Sequence, residues 1–370
     1  MILVHVFYSL KYVYDLSECV NDANVDQFEL GMIGGIGDSV LAGYGSREHF
    51  SWPFFNPMNF REDRGATLVS GGDDDMTSMI KMAKVFNPNV KGESTGTHWL
   101  NLCRGKLCFW PFNAYHKSDG LNVAETGAFL SDTMRQAKEL VKRVNALINE
   151  DPSLAKKWKL IVFMVGLNDQ FNNCNRYQST LPYFDYYSRE IMNYLRENLE
   201  FVIIDVISIW NLDEMVELSS RHPSCMHSNR QQLFKTMCSC PFGKNGKEFR
   251  KNMKAFQLGQ NAILRNIVSD YQSGKAWSKK EKSVKGWKGK PSNFKLIYDP
   301  SAEETNLSNL HPLTLTKLDC SHPTKQMHER LANIYWNNLF LKSSEKMRNQ
   351  EAILKGGFLN FTCPEAIKFD

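Results

Sequence analysis

The chain has 370 residues, with 45 basic and 40 acidic side chains and 42% hydrophobic content. Such a chain buries a substantial core and is unlike disordered, collagen-like or coiled-coil sequences. Its net charge of 45 − 40 = +5 does not argue for nucleic acid, whose readers concentrate basic charge on one face, and no run reaches the roughly 18 apolar residues of a spanning helix, so no transmembrane segment is expected.

After an N-terminal extension over 1–30, Met32–Ile36 is short and apolar, ends in a glycine turn, and reads as a buried strand. Residues 50–128 hold many Pro, Gly and Asn and are expected to form long loops over one end of a sheet. From Phe129 to Ile148, Leu130, Met134, Ala137, Val141 and Val144 recur at helical spacing. Leu160–Val165 is a continuous buried-strand run, residues 183–199 look helical, and Phe201–Ile207 and Phe294–Tyr298 read as further strands. Between the last two, residues 275–290 form a lysine-rich insertion that includes Trp277 and Trp287. It reads as a solvated loop or as a patch for peripheral contact with a lipid surface. A helix follows Pro323-Thr324, and residues 348–370 form a tail. Strands alternating with helices predict an α/β fold, a sandwich around a parallel sheet, as one domain over 31–347.

The nine cysteines lie mostly in segments rich in Asn, Ser, Gly and Pro, which suits disulfides formed in an oxidising compartment. The sequons Asn306-Leu307-Ser308 and Asn360-Phe361-Thr362 point the same way. The apolar start, Met1 to Leu10, lacks a basic region and a clear cleavage site, so the expectation is a secreted protein whose signal peptide is weak or missing from this chain. His222, Cys225, His227, Cys238 and Cys240 fall close together. Their Cys-x-Cys spacing favours disulfide pairing over zinc, and no metal site is expected. Asp73-Asp74-Asp75 follows two glycines and reads as a turn rather than a calcium loop.

The first strand runs into Gly34-Gly35-Ile36-Gly37-Asp38-Ser39-Val40. The dinucleotide fingerprint fails here, because position 40 is valine, and no phosphate loop follows. What remains is a serine on a tight turn between a buried strand and a helix, suited either to a helix cap or to a nucleophile backed by helix N–H groups. Serine needs a base, and the base needs an orienting acceptor. Asp319-Cys320-Ser321-His322 supplies both within one turn, although that spacing also suits a helix cap. Gly166-Leu167-Asn168 follows the strongest strand, where Asn168 can donate to an oxyanion and Gly166 lets substrate approach the backbone. Gly127, in Asn122–Ala128 before the long helix, offers a backbone N–H.

These four blocks, in this chain order, resemble the GDSL or SGNH hydrolase family, and more narrowly animal phospholipase B. Further similarity lies in Arg64-Gly65, Ser70–Asp73, Phe86–Pro88, Ser94–Gly96, and the run from His322 to His328 and Trp336–Asn338. The resemblance covers roughly residues 31–345. It implies a flavodoxin-like three-layer α/β/α sandwich and a carboxylic ester hydrolase without cofactor, acting on lipid esters. It implies Ser39 as nucleophile, His322 as base, Asp319 as its orienter, an oxyanion hole of Ser39, Gly127 and Asn168, and Asp38 and Gly166 beside the substrate. Alternatives are an esterase for acetylated carbohydrate or small esters, and a binding protein of the same fold without turnover. One departure is Glu125, expected either to be a solvated loop residue or to alter the acyl channel.

Overall fold

The computed structural model describes residues 29–49, 59–102, 114–221, 235, 238–242, 244–276 and 293–346. Four strands, β1 (Leu30–Gly37), β2 (Trp158–Met164), β3 (Val202–Ile207) and β4 (Phe294–Asp299), hydrogen-bond in that order, every neighbour parallel. All residues of β1 and β3 are buried, because helices cover both faces of the sheet. That is why the strands read as unbroken apolar runs.

The helices that build the layers and the site are α1 (Ser39–Ala42), α2 (Met79–Phe86), α3 (Thr133–Glu150), α4 (Leu167–Asn173), α5 (Tyr177–Asn198), α6 (Leu212–Ser220), α7 (Gly246–Gln272) and α8 (Lys325–Asn338). Helices α3, α5 and α7 pack side by side, and α2 packs on α8, giving the α/β sandwich. The main hydrophobic core runs from Leu30 in β1 to Phe340 after α8. The strands agree with expectation to within two residues. Helix α5 starts at Tyr177, ahead of its internal Pro182, whereas a helix was expected only over 183–199.

Helix α7 has no counterpart among the expected elements. Its buried face carries Gln257, Gln260 and Asn261, each fully enclosed, and these polar residues interrupt the apolar stripe by which a helix is recognised. They are bonded inside: Gln257 Nε2 donates to Ile209 O (2.9 Å), Asn261 Oδ1 accepts from Ile209 N (2.8 Å), and Gln260 Nε2 donates to Gly166 O (3.1 Å). The loop-rich stretch before residue 128 contains α2 and a small antiparallel ribbon of Arg61–Glu62 and His98–Trp99. It also closes the free edge of β1 through parallel bridges of Lys91 to Met32 and Asn122 to Gly35.

Cys174 and Cys240 form a disulfide, and Cys320 is disulfide-bonded as well. Cys240 is therefore committed to a sulfur partner. Asp73–Asp75 is a turn whose first and last acids pair with Arg47, at 2.8 Å to Asp73 and 2.7 Å to Asp75. Asn306 of the first sequon is exposed. The N-terminal residues 1–28, the lysine-rich stretch from 277 to 290, His222, Cys225, His227, the Asn360 sequon and the tail lie outside the described residues. Among the described residues no helix is long and apolar enough to cross a membrane.

Candidate active site

Strand β1 delivers its chain to α1 through one residue, Asp38, which caps the helix: its Oδ1 accepts from Val40 N at 3.1 Å. The cap is thus the aspartate and not Ser39, whose hydroxyl points elsewhere. Gln136 of α3 braces the same turn, accepting from Gly37 N (2.9 Å) and donating to Gly37 O (2.8 Å). Ser39 Oγ lies 2.6 Å from His322 Nε2, across 283 residues of sequence.

His322 sits on a turn built from its own neighbours. Thr316 N donates to His322 O at 2.8 Å, Cys320 N donates to Thr316 O at 3.0 Å, and Cys320 adopts a left-handed φ of 63°. That conformation is uncommon for a residue with a side chain, and here it folds Asp319 back beneath the ring. Asp319 Oδ2 bonds His322 Nδ1, while its Oδ1 accepts from Ser321 N (3.0 Å), His322 N (3.2 Å) and Thr316 Oγ1 (3.2 Å). Burial raises the Asp319 pKa, but the His322 charge and these donors outweigh it and leave the carboxyl below its ordinary range. Burial lowers His322, yet the Asp319 charge and hydrogen bond, with help from Asp38, hold it above the usual histidine value. The ring edge of Tyr44 lies 4.8 Å from the imidazole, centroid to centroid. With Nδ1 committed to a carboxylate, Nε2 is the nitrogen that can take the serine proton.

Gly127, on a loop, and Asn168, in the first turn of α4, line the same cavity as the serine. Gly127 has φ 79°, a left-handed turn open to glycine without strain. Asn168 Nδ2 donates one hydrogen to Ala128 O at 3.1 Å, which links the Gly127 loop to α4 and leaves its second N–H for another acceptor. Ser39, Gly127, Asn168 and His322 all line one cavity of about 280 Å³. Its other walls are mainly apolar: Val40, Phe60, Leu100, Leu102, Phe171, Leu212 and Met215.

Asp38 and Gly166, expected beside the substrate, both stand back from the cavity wall. Asp38 is fully buried, with its side chain turned back onto the helix cap, and burial lifts its pKa to about 6. Gly166 is also absent from the cavity wall. A side chain there would meet Ile209 and Gln260, at a φ of 130°, so this glycine is needed for close packing and backbone conformation. Glu125 is likewise no solvated residue. It is fully buried, forms an ion pair with Arg135, and is pushed by burial to about 7 despite that partner. The side chains that hold the Gly127 loop, Glu62 and Arg64, carried no signal of this role at short spacing in the sequence.

A family model described as GDSL-like lipase/acylhydrolase matches residues 33–334. The chain belongs to this family. Membership accounts for the order of the four blocks and for the α/β sandwich that presents them. Among curated relatives of this GDSL-family chain, "Phospholipase B1, membrane-associated" from Homo sapiens is 24% identical over 84% of this chain and 19% of its own length. The Mus musculus protein of that name is 26% identical over 82% of this chain and 18% of its own. The chain thus spans about a fifth of the length of the curated relatives it matches.

Proposed function

We propose that this GDSL-family hydrolase is a serine-dependent carboxylic ester hydrolase of the phospholipase B or lysophospholipase kind. The observation that carries this reading is the Asp319–His322–Ser39 relay, 2.6 Å at its reacting end, opening on an apolar cavity. Ser39 Oγ attacks the ester carbonyl and its proton passes to His322 Nε2. The tetrahedral oxyanion is met by the N–H groups of Ser39 and Gly127 and by the Asn168 amide. Collapse breaks the ester C–O bond, and His322 returns the proton to the departing alcohol. Water, deprotonated by the same nitrogen, then releases the fatty acid and restores the serine. No cofactor enters these steps.

The apolar wall favours a hydrocarbon acyl chain over acetate, since only the longer chain gains from leaving water against leucine and phenylalanine. The Cys174–Cys240 disulfide, the bonded Cys320 and the exposed Asn306 sequon support a secreted, extracellular protein. We take residues 31–347 as one hydrolase domain. A fluorophosphonate probe is expected to label the wild type and not Ser39→Ala, and a panel of phospholipid, lysophospholipid, triacylglycerol and acetyl esters is expected to show turnover of the long-chain esters. Equal labelling of the two proteins, or turnover of acetyl esters alone, would overturn the assignment.

A further inference from the structure

The Arg61–Asp63 segment is stitched to the turn that follows the nucleophile helix. Gly45 N donates to Arg61 O (3.0 Å) and Asp63 N to Gly43 O (2.9 Å). From the middle of that segment Glu62 reaches toward a different loop. Its Oε1 accepts from both the backbone N (3.3 Å) and the hydroxyl (2.5 Å) of Thr126, the residue before Gly127. Its Oε2 is held by Arg64, at 2.6 Å to Nη2 and 3.2 Å to Nε. Arg64 in turn donates to the carbonyls of Asn122 (3.1 Å) and Ala124 (2.8 Å) in the same loop. Both charged side chains are fully buried.

A buried ion pair of this kind adds little net stability over a well-packed apolar pair of similar size, because desolvation cancels most of the attraction. It does supply an acceptor with a fixed direction, because Arg64 holds the carboxyl group from its other oxygen. The Gly127 N–H lies in the planar peptide unit that begins at the Thr126 carbonyl. Anchoring Thr126 at its nitrogen and hydroxyl fixes the near end of that unit. The far end is fixed by Ala128, whose N–H donates to Glu125 O (3.2 Å) and whose O accepts from Asn168. Glu62 itself is not in the cavity wall; it acts through Thr126.

We infer that Glu62, paired with Arg64, is a positioning residue that aims the Gly127 N–H at the oxyanion and ties the donor loop to the nucleophile turn. This rests on the ester-hydrolase reading above. The test compares Thr126→Val, which deletes the hydroxyl at similar shape, with Thr126→Ser, which keeps it. Each is assayed on a p-nitrophenyl ester and by its rate of fluorophosphonate labelling, beside wild type and Ser39→Ala. Loss of one oxyanion donor costs roughly a hundred- to a thousandfold in kcat, so its misplacement is expected to cost about ten- to a hundredfold. In Thr126→Val this loss falls on kcat and labelling rate, with KM within about threefold, while Thr126→Ser stays within about threefold of wild type in kcat. Thr126→Ala replaces the valine variant if that one does not melt cooperatively. Loss of kcat in the serine variant equal to that in the valine variant, a change in KM alone, or wild-type kcat in the valine variant would overturn the inference. A wild type that neither turns over ester nor takes the probe would overturn the hydrolase reading and this inference with it.

Discussion

The histidine turn and the Gly127 loop reach the same serine by opposite routes. His322 is aimed by Asp319, three residues away, and by backbone bonds within the turn from Thr316 to His322. Asn122, Ala124 and Thr126 of the Gly127 loop are held by side chains 58 to 64 residues away, through a buried ion pair. A locally built turn keeps its geometry wherever its own residues are kept. A loop held at long range depends on two charged groups that exclude water and satisfy each other. The first arrangement can be read from a short stretch of sequence, and the second becomes visible only when the chain is folded.

The local half is broken most severely by Asp319→Asn. Amide replaces carboxylate, the tautomer that leaves Nε2 free is no longer favoured, and kcat is expected to fall roughly a thousand- to ten-thousandfold. Steady-state kinetics with the melting transition recorded alongside would check this. The long-range half is broken by Glu62→Gln, which leaves Arg64 fully buried with only Asp119, at 3.7 Å, as a carboxylate neighbour. Breaking one side of such a pair costs about 3 to 5 kcal/mol, to be read from urea unfolding. The smallest effect sharpens the comparison by acting on the histidine from outside its turn. His322 is a base only when neutral, so kcat/KM rises with pH through its pKa, which stands above the ordinary value partly because of Asp38. Asp38 ionises near pH 6. Asp38→Asn keeps a helix-capping oxygen and removes the charge, so the rising limb of the pH profile is expected to move to lower pH, by about one unit or less. A limb that moved upward would show that the charge does not act on the base.

The same contrast sets how much was legible beforehand. The four blocks sit where strands run into turns, and strands enclosed by helices on both faces announce themselves as apolar runs. Asp319 and His322 stood out because their spacing is one turn. Helix α7 did not, because Gln257, Gln260 and Asn261 replace apolar residues on its inner face in order to hold the backbone at Gly166 and Ile209. Glu125, open in the sequence to a solvated place or to an effect on the acyl channel, is buried. Its partner Arg135 lies on α3, ten residues on, and only folding brings the two together. In each case the polar residue that breaks a pattern is bonded to a partner distant in sequence or beyond the loop that carries it.

The separation of 283 positions between Ser39 and His322 also imposes an order in time. At about 5 to 20 residues per second, synthesis leaves roughly 15 to 60 seconds in which the ribosome has delivered the serine and not yet the histidine. During that interval β1 and its neighbours can assemble, but the serine remains a plain alcohol with no base beside it. Reactivity arrives with the last part of the fold to be made, when the segment leading into α8 comes to rest against the turn after β1.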